Sequence, residues 1–91
     1  MRHSFEWDPE KERANVAKHG IDFDEAASVF ADPLAQWEPD KGFHSGEERF
    51  VAIGWSYSQR LVVVVFTVRE THVRIIGARK PTRHEAKAYE S

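Results

Sequence analysis

The most constraining feature of this chain is the run Leu61-Val62-Val63-Val64-Val65-Phe66, which continues through Thr67 and Val68 to Arg69. Its residues are β-branched or bulky and apolar at odd and even positions alike. A strand of that kind has no face suited to water, so it must lie inside a sheet covered on both sides. Six apolar residues cannot cross a bilayer, which needs roughly 18–20. Other elements must therefore supply two covering layers from a chain of only 91 residues, which is one domain's worth.

The punctuation of the first half supplies helices. Phe5-Glu6-Trp7 alternates and reads as a short strand. Asp8-Pro9 is a capping carboxylate followed by proline, and Gly20 is a terminator, which predicts a helix over 9–19. Lys11, Asn15 and Lys18 form a polar stripe along it. Asp22 and Glu25 have capping-box spacing, and Phe23, Ala26, Ala27 and Phe30 form an apolar stripe at helical period. Asp32-Pro33 ends that second helix.

The remainder reads as strands. Residues 34–37 suit a short strand and 38–47, with Pro39, Gly42 and Gly46, a loop. Residues 49–57 carry a bulky face (Val51, Ile53, Trp55, Tyr57) and a small one (Ala52, Gly54, Ser56) against which a helix can pack closely. Residues 57–60 suit a hairpin turn. Glu70-Thr71 turns the central strand into another at 73–78, and Thr82 with Glu85 forms a capping box for a last helix through Tyr89. The expected architecture is α+β: a single antiparallel sheet of about four strands, two N-terminal helices and one C-terminal helix, with helices chiefly on one face. Trp7 and Trp55 are expected in the core, and Trp37 is the tryptophan placed for substrate or partner contact.

Composition narrows function. With 41% hydrophobic and 31% charged residues, the chain is globular rather than disordered. It has no cysteine, which excludes disulfides and thiolate chemistry, and its five histidines have no metal-ligand spacing. The acidic start lacks the pattern of a secretory signal, which fits the cytosol. A net charge of −2 conceals a balance of −6 over residues 1–59 and +4 over 60–91. A basic half on a nearly neutral protein still attracts phosphate at short range.

Lys18 and His19, in the last turn of the first helix, either complement its dipole or meet an anion. Arg79, Lys80 and Arg83 gather between the last strand and the last helix, either as solvated charge or as phosphate ligands. Arg69 stands at the opposite end of the central strand from Arg60, and His44 lies in a loop with an ordinary imidazole pKa of about 6.5.

The order of local strings is itself informative. Phe5-Glu6-Trp7-Asp8-Pro9, then Asn15, Lys18-His19-Gly20-Ile21, Asp32-Pro33, His44-Ser45, Glu47-Glu48-Arg49-Phe50, Ile53-Gly54, Thr67, Arg69, residues 74–80, Thr82-Arg83, Glu85 and Tyr89-Glu90 follow one another. This resembles the BrnT toxin family over almost the whole chain. The resemblance implies a RelE-like fold and a ribonuclease toxin of a type II toxin–antitoxin pair. Such a toxin is neutralised by a BrnA-like antitoxin, through which alone the complex meets operator DNA. It also favours a functional Lys18; residue chemistry adds His19, Arg79 and Arg83 as expected catalytic residues, and Lys80, Arg69 and His44 as expected substrate contacts. Neither metal nor cofactor is expected, nor a membrane; the RNA and the antitoxin are the expected partners. The alternative is a non-catalytic module that binds its partner within a transcriptional repressor complex.

Overall fold

The computed structural model describes residues 4–42 and 46–90. Elements follow in the order β1 (Ser4–Glu6), α1 (Pro9–His19), α2 (Phe23–Ser28), a single 3-10 turn (Val29–Ala31), β2 (Gln36–Pro39), β3 (Phe50–Trp55), β4 (Leu61–Arg69), β5 (His72–Arg79) and α3 (Arg83–Glu90). One five-stranded sheet has the order β1-β5-β4-β3-β2.

The sheet departs from the expected form in two respects. It has five strands rather than about four, and it is mixed: β1 lies parallel to β5, with Ser4 opposite His72 and Glu6 opposite Arg74. The Glu6–Arg74 ion pair at 2.6 Å joins these two strands. The other pairings are antiparallel. The central position of β4 is as expected: Val62, Val63, Val64, Phe66 and Thr67 are all buried.

The core lies between one sheet face and the segment that carries α2 and the 3-10 turn. Ile21, Phe23, Ala26 and Val29 meet Ala52, Val62, Val64, Phe66, Val73, Ile75 and Ala78. The small face of β3 does what its residues allow. A Cβ at Gly54 would stand 3.0 Å from both Val29 Cγ1 and Ala35 Cβ, tighter than ordinary contact, so glycine lets these neighbours approach without displacement. Phe30 packs edge-on to Phe66 at 4.9 Å and Trp7 edge-on to Phe23 at 6.0 Å. Trp55, however, stands 45% exposed, because β3 turns it to the outer face near the sheet edge, where too little lies over it.

Helix ends follow the punctuation closely. Asp8 accepts from Glu10 N–H at 2.9 Å, and Gly20 closes α1 at φ 71°, a left-handed conformation that glycine adopts without steric cost. Asp22 Oδ1 accepts from Glu25 N–H at 2.7 Å. Glu25 does not complete the box, however, because its carboxylate is committed elsewhere. Glu12 of α1 instead accepts from Phe23 N–H at 2.9 Å.

A bulge in β5 has a large consequence. Val65 pairs with Gly77 and Phe66 with Ile75, which leaves Ile76 unpaired. One extra residue inverts the facing of everything after it. Ile75 and Ala78 therefore both reach the core, and Arg79 emerges on the opposite face beside its cross-strand partner Val63.

Edge strand β2 is blunted by proline. Asp40 N–H donates to Arg49 C=O at 2.8 Å, which makes the even positions of β2 the ones bonded to β3. Pro39 thus falls at a position whose nitrogen faces outward, where no ladder bond is lost.

Candidate functional site

The site begins with α1. The polar stripe expected along it is interrupted, because Asn15 turns inward. Its Nδ2 donates to Ile21 C=O at 2.9 Å and its Oδ1 accepts from Ala78 N–H at 3.1 Å. Strand β1 covers β5 only as far as Arg74, so Asn15 satisfies a backbone donor beyond the reach of that partner strand. Sequence offers no sign of this clamp beyond an asparagine in a helix. Its effect is to fasten α1, one turn before its end at His19, to Ala78 near the end of β5.

A second tie fixes the start of β4 at the same corner. Arg60 Nη2 donates to Gly20 C=O at 3.1 Å, while its Nε and Nη2 each meet the Glu25 carboxylate at 2.7 Å. Ser56 Oγ donates to the same carboxylate at 2.7 Å. Glu25 is buried, 4% exposed. Hydrogen bonding to Arg60 above all, partly offset by burial, holds its pKa below the usual carboxylate range. Thirty-five positions separate these partners, and no local pattern announces the pair.

Arg79 is also paired. Its Nη1 and Nη2 reach Glu85 Oε1 and Oε2 at 2.8 and 2.9 Å, and Nη1 also donates to Lys80 C=O at 3.2 Å. Glu85 completes a reciprocal capping box at α3. It accepts from Thr82 N–H at 2.8 Å, while Glu85 N–H donates to Thr82 Oγ1 at 3.1 Å. The Arg79 hydrogen bonds lead in lowering its pKa to about 2. So acidic a carboxyl is a poor general base near neutrality. Three of the five guanidinium donors of Arg79 are engaged, which leaves two for an incoming oxyanion.

One corner is tied by Asn15 to Ala78, by Arg60 to Gly20 and by Arg79 to Glu85, and the segments tied there, the end of α1, the end of β5 and the start of α3, carry Lys18, His19, Arg79, Lys80 and Arg83. Lys18, Lys80 and Arg83 are exposed there, and their side chains have no ion pair among the described residues. Arg69 stands apart. It lies roughly 26 Å away along β4, where it meets Glu47 at 3.5 Å, and Glu47 also pairs with Arg49 at 3.2 Å. His44 lies outside the described residues.

Helix α3 crosses the other sheet face. Arg79–Glu85 anchors its start, and Tyr89 anchors its end by donating to Asp32 Oδ2 at 2.6 Å. Asp32 also accepts from Trp55 N–H at 2.8 Å and from Leu34 N–H at 2.9 Å. The bond to Asp32 leads in pushing the Tyr89 pKa up to about 12. Between α3 and the sheet lies an open depression of about 320 Å³. Its floor is Val51, Ile53 and Val63, with Gln36 and Glu38 along one side and His84, Glu85, Ala88 and Tyr89 along the other. No group of three or more metal-ligating side chains occurs among the described residues. Nor does any described helix have the length and apolarity to cross a membrane.

The chain is thus a small α+β domain with one mixed five-stranded sheet, with exposed cations at the ends of α1 and β5 and the start of α3 that have no ion pair among the described residues. Residues 7–85 match the family model described as the ribonuclease toxin BrnT of type II toxin–antitoxin systems. The fold is similar to the crystal structure of the Brucella abortus ribonuclease toxin BrnT, with a TM-score of 0.70 and 25% identity, covering 90% of this chain and 100% of that one. The curated proteins contain no match. The chain belongs to the BrnT family of ribonuclease toxins of type II toxin–antitoxin systems. The fold is therefore described by its likeness to BrnT rather than as RelE-like.

Proposed function

We propose that this chain is an endoribonuclease that cleaves RNA without a metal, using the corner at the ends of α1 and β5. What supports this reading is that the segments tied together at this corner carry Lys18, His19, Arg79, Lys80 and Arg83, with Lys18, Lys80 and Arg83 exposed and unpaired among the described residues. In the reaction, the ribose 2′-oxygen attacks phosphorus as its proton leaves for a base, and the P–O5′ bond breaks as that oxygen gains a proton. The products are a 2′,3′-cyclic phosphate and a 5′-hydroxyl. His19 is the side chain at the corner suited to move the proton. Lys18 and the two open donors of Arg79 stabilise the charge on the phosphorane, while Lys80 and Arg83 hold flanking phosphates. Cleavage of cytoplasmic RNA arrests translation and growth, and a BrnA-like antitoxin neutralises the toxin and supplies the contact with operator DNA.

Purified protein incubated with RNA and a chelator tests this directly. Cyclic-phosphate ends are expected, and in cells Lys18→Ala or Arg79→Ala relieves growth arrest while leaving the protein folded and abundant. Failure to cleave at any concentration would favour the second reading, a partner-binding module of a repressor complex. One observation supports that alternative: two arginines of the corner, Arg60 and Arg79, are both tied to carboxylates.

A further inference from the structure

The depression between α3 and the sheet is not used by the phosphate chemistry at the corner, yet it adjoins it. Val63 in its floor is the cross-strand neighbour of Arg79, and Glu85 in its wall is the residue that grips Arg79. A polyanion held at the corner therefore has a partly apolar recess beside it. At about 320 Å³ the recess is at the small end of small-molecule pockets.

Its chemistry is selective. Val51, Ile53 and Val63 offer a flat apolar floor, and Tyr89 contributes an aromatic ring whose hydroxyl is held by Asp32. Gln36 and Glu38 stand two residues apart on β2, opposite Ile53 and Val51, and so project to the same face. Neither side chain has a hydrogen bond or ion pair among the described residues. Glu85, the other carboxylate of the lining, is consumed by Arg79 and Thr82. One carboxylate is thus open to a ligand, with a carboxamide beside it.

We infer that this recess binds an unpaired guanine base of the RNA, with Glu38 accepting its N1–H and N2–H₂ and Gln36 donating to its O6 or N7. The inference rests on the RNA-cleaving reading and names the base that reading leaves open. A carboxylate accepts two parallel N–H bonds from the Watson–Crick edge of guanine and from no other standard base. Uracil offers a single ring N–H, and adenine and cytosine offer an amino group beside a ring acceptor that a carboxylate repels. Single-stranded bases are recognised in this manner, by stacking and by their Watson–Crick edges. The discrimination is read at the transition from one base to another, because a site built to receive donors penalises a base that lacks them.

The test is titration of the full chain, followed by NMR, with 5′-GMP, 5′-AMP, 5′-CMP, 5′-UMP and inorganic phosphate. GMP is expected to move the methyls of Val51, Ile53 and Val63 and the ring of Tyr89, and to bind at least fivefold more tightly than the other nucleotides. Inorganic phosphate should move only the corner. Glu38→Gln, on an exposed strand, should abolish the preference for GMP without changing the thermal midpoint, and Ile53→Trp should fill the recess and leave all four nucleotides moving only the corner, as inorganic phosphate does. Equal binding of GMP and AMP, a preference that survives Glu38→Gln, or shifts confined to the corner would overturn the inference. Guanine-selective binding by a protein that leaves RNA intact would sink the catalytic reading alone. Cleavage with no dependence on Glu38 at guanine would sink this one alone.

Discussion

Helices α2 and α3 are held by the same device in two different environments. Each has an arginine gripping a glutamate of its first turn, Arg60 on Glu25 and Arg79 on Glu85. Around Glu25 the carboxylate is buried, and its helix contributes Phe23 and Ala26 to the core. Around Glu85 the side chain is a third exposed, and α3 buries no residue completely. The same ion pair is therefore an integral part of the core in one place and a surface strap in the other. Desolvation makes the difference: a buried charge cannot lose its partner cheaply, whereas an exposed one recovers water.

That contrast predicts an ordered set of effects. Phe23→Ala, which empties the core beneath α2, should cost about 3–5 kcal/mol, a large share of the total for so small a domain, and chemical denaturation will measure it. Glu25→Ala leaves Arg60 without its partner beside a buried site and should cost roughly 3 kcal/mol by the same measurement. A loss below that of Glu85→Ala would break the comparison.

Acid should separate the two pairs more gently. Glu85 has its pKa depressed from the ordinary 4.5 to about 2, and that of Glu25 is lowered too. A depressed carboxylate contributes stability that is complete above about pH 4.5 and lost as pH falls through its folded-state value. Stability should thus decline from about pH 4.5 toward pH 2, and Glu85→Gln should flatten part of that decline at a cost of about 1 kcal/mol near neutrality. Tyr89 has the opposite sign: its raised pKa keeps its contribution intact below about pH 10 and loses it as pH climbs to about 12. Tyr89→Phe should cost about 1 kcal/mol or less, and hydrogen exchange should find it confined to α3. The smallest effect on stability belongs to Lys18→Ala, within about 0.5 kcal/mol, although loss of RNA cleavage should be its largest consequence.

Much of the framework was legible because it rests on local rules. The bounds of α1 at Pro9 and Gly20, the two-sided burial of β4, the small face of β3 and the Thr82–Glu85 box each follow from a few adjacent residues. The readings that failed depended on distant partners. The Asp22–Glu25 spacing suggested a complete capping box, but Arg60 outcompetes the backbone for that carboxylate. Asn15 read as part of a polar surface, yet a backbone donor of β5 without a strand partner draws it inward. Trp55 read as core, but it lies on the outer face near the sheet edge. At the corner, the residue types and their clustering in sequence were legible; the ion pairing that ties up Arg79 was not.

Sequence alone determined that β4 is central, that cations concentrate in the last third of the chain, and where most elements lie, although the expected strand over 34–37 is in fact Gln36–Pro39 and the second helix gives way to a 3-10 turn at Val29. These are consequences of periodicity, caps and composition, all encoded within a few residues. Only the tertiary structure decided that β1 joins the sheet in parallel and that Asn15 ties α1 to the end of β5. It also decided that the unpaired Ile76 turns Arg79 onto the face of α3. Each of these depends on where a strand edge, a bulge or a buried carboxylate finds a partner far along the chain. That choice is settled by the packing and hydrogen bonding of the whole domain.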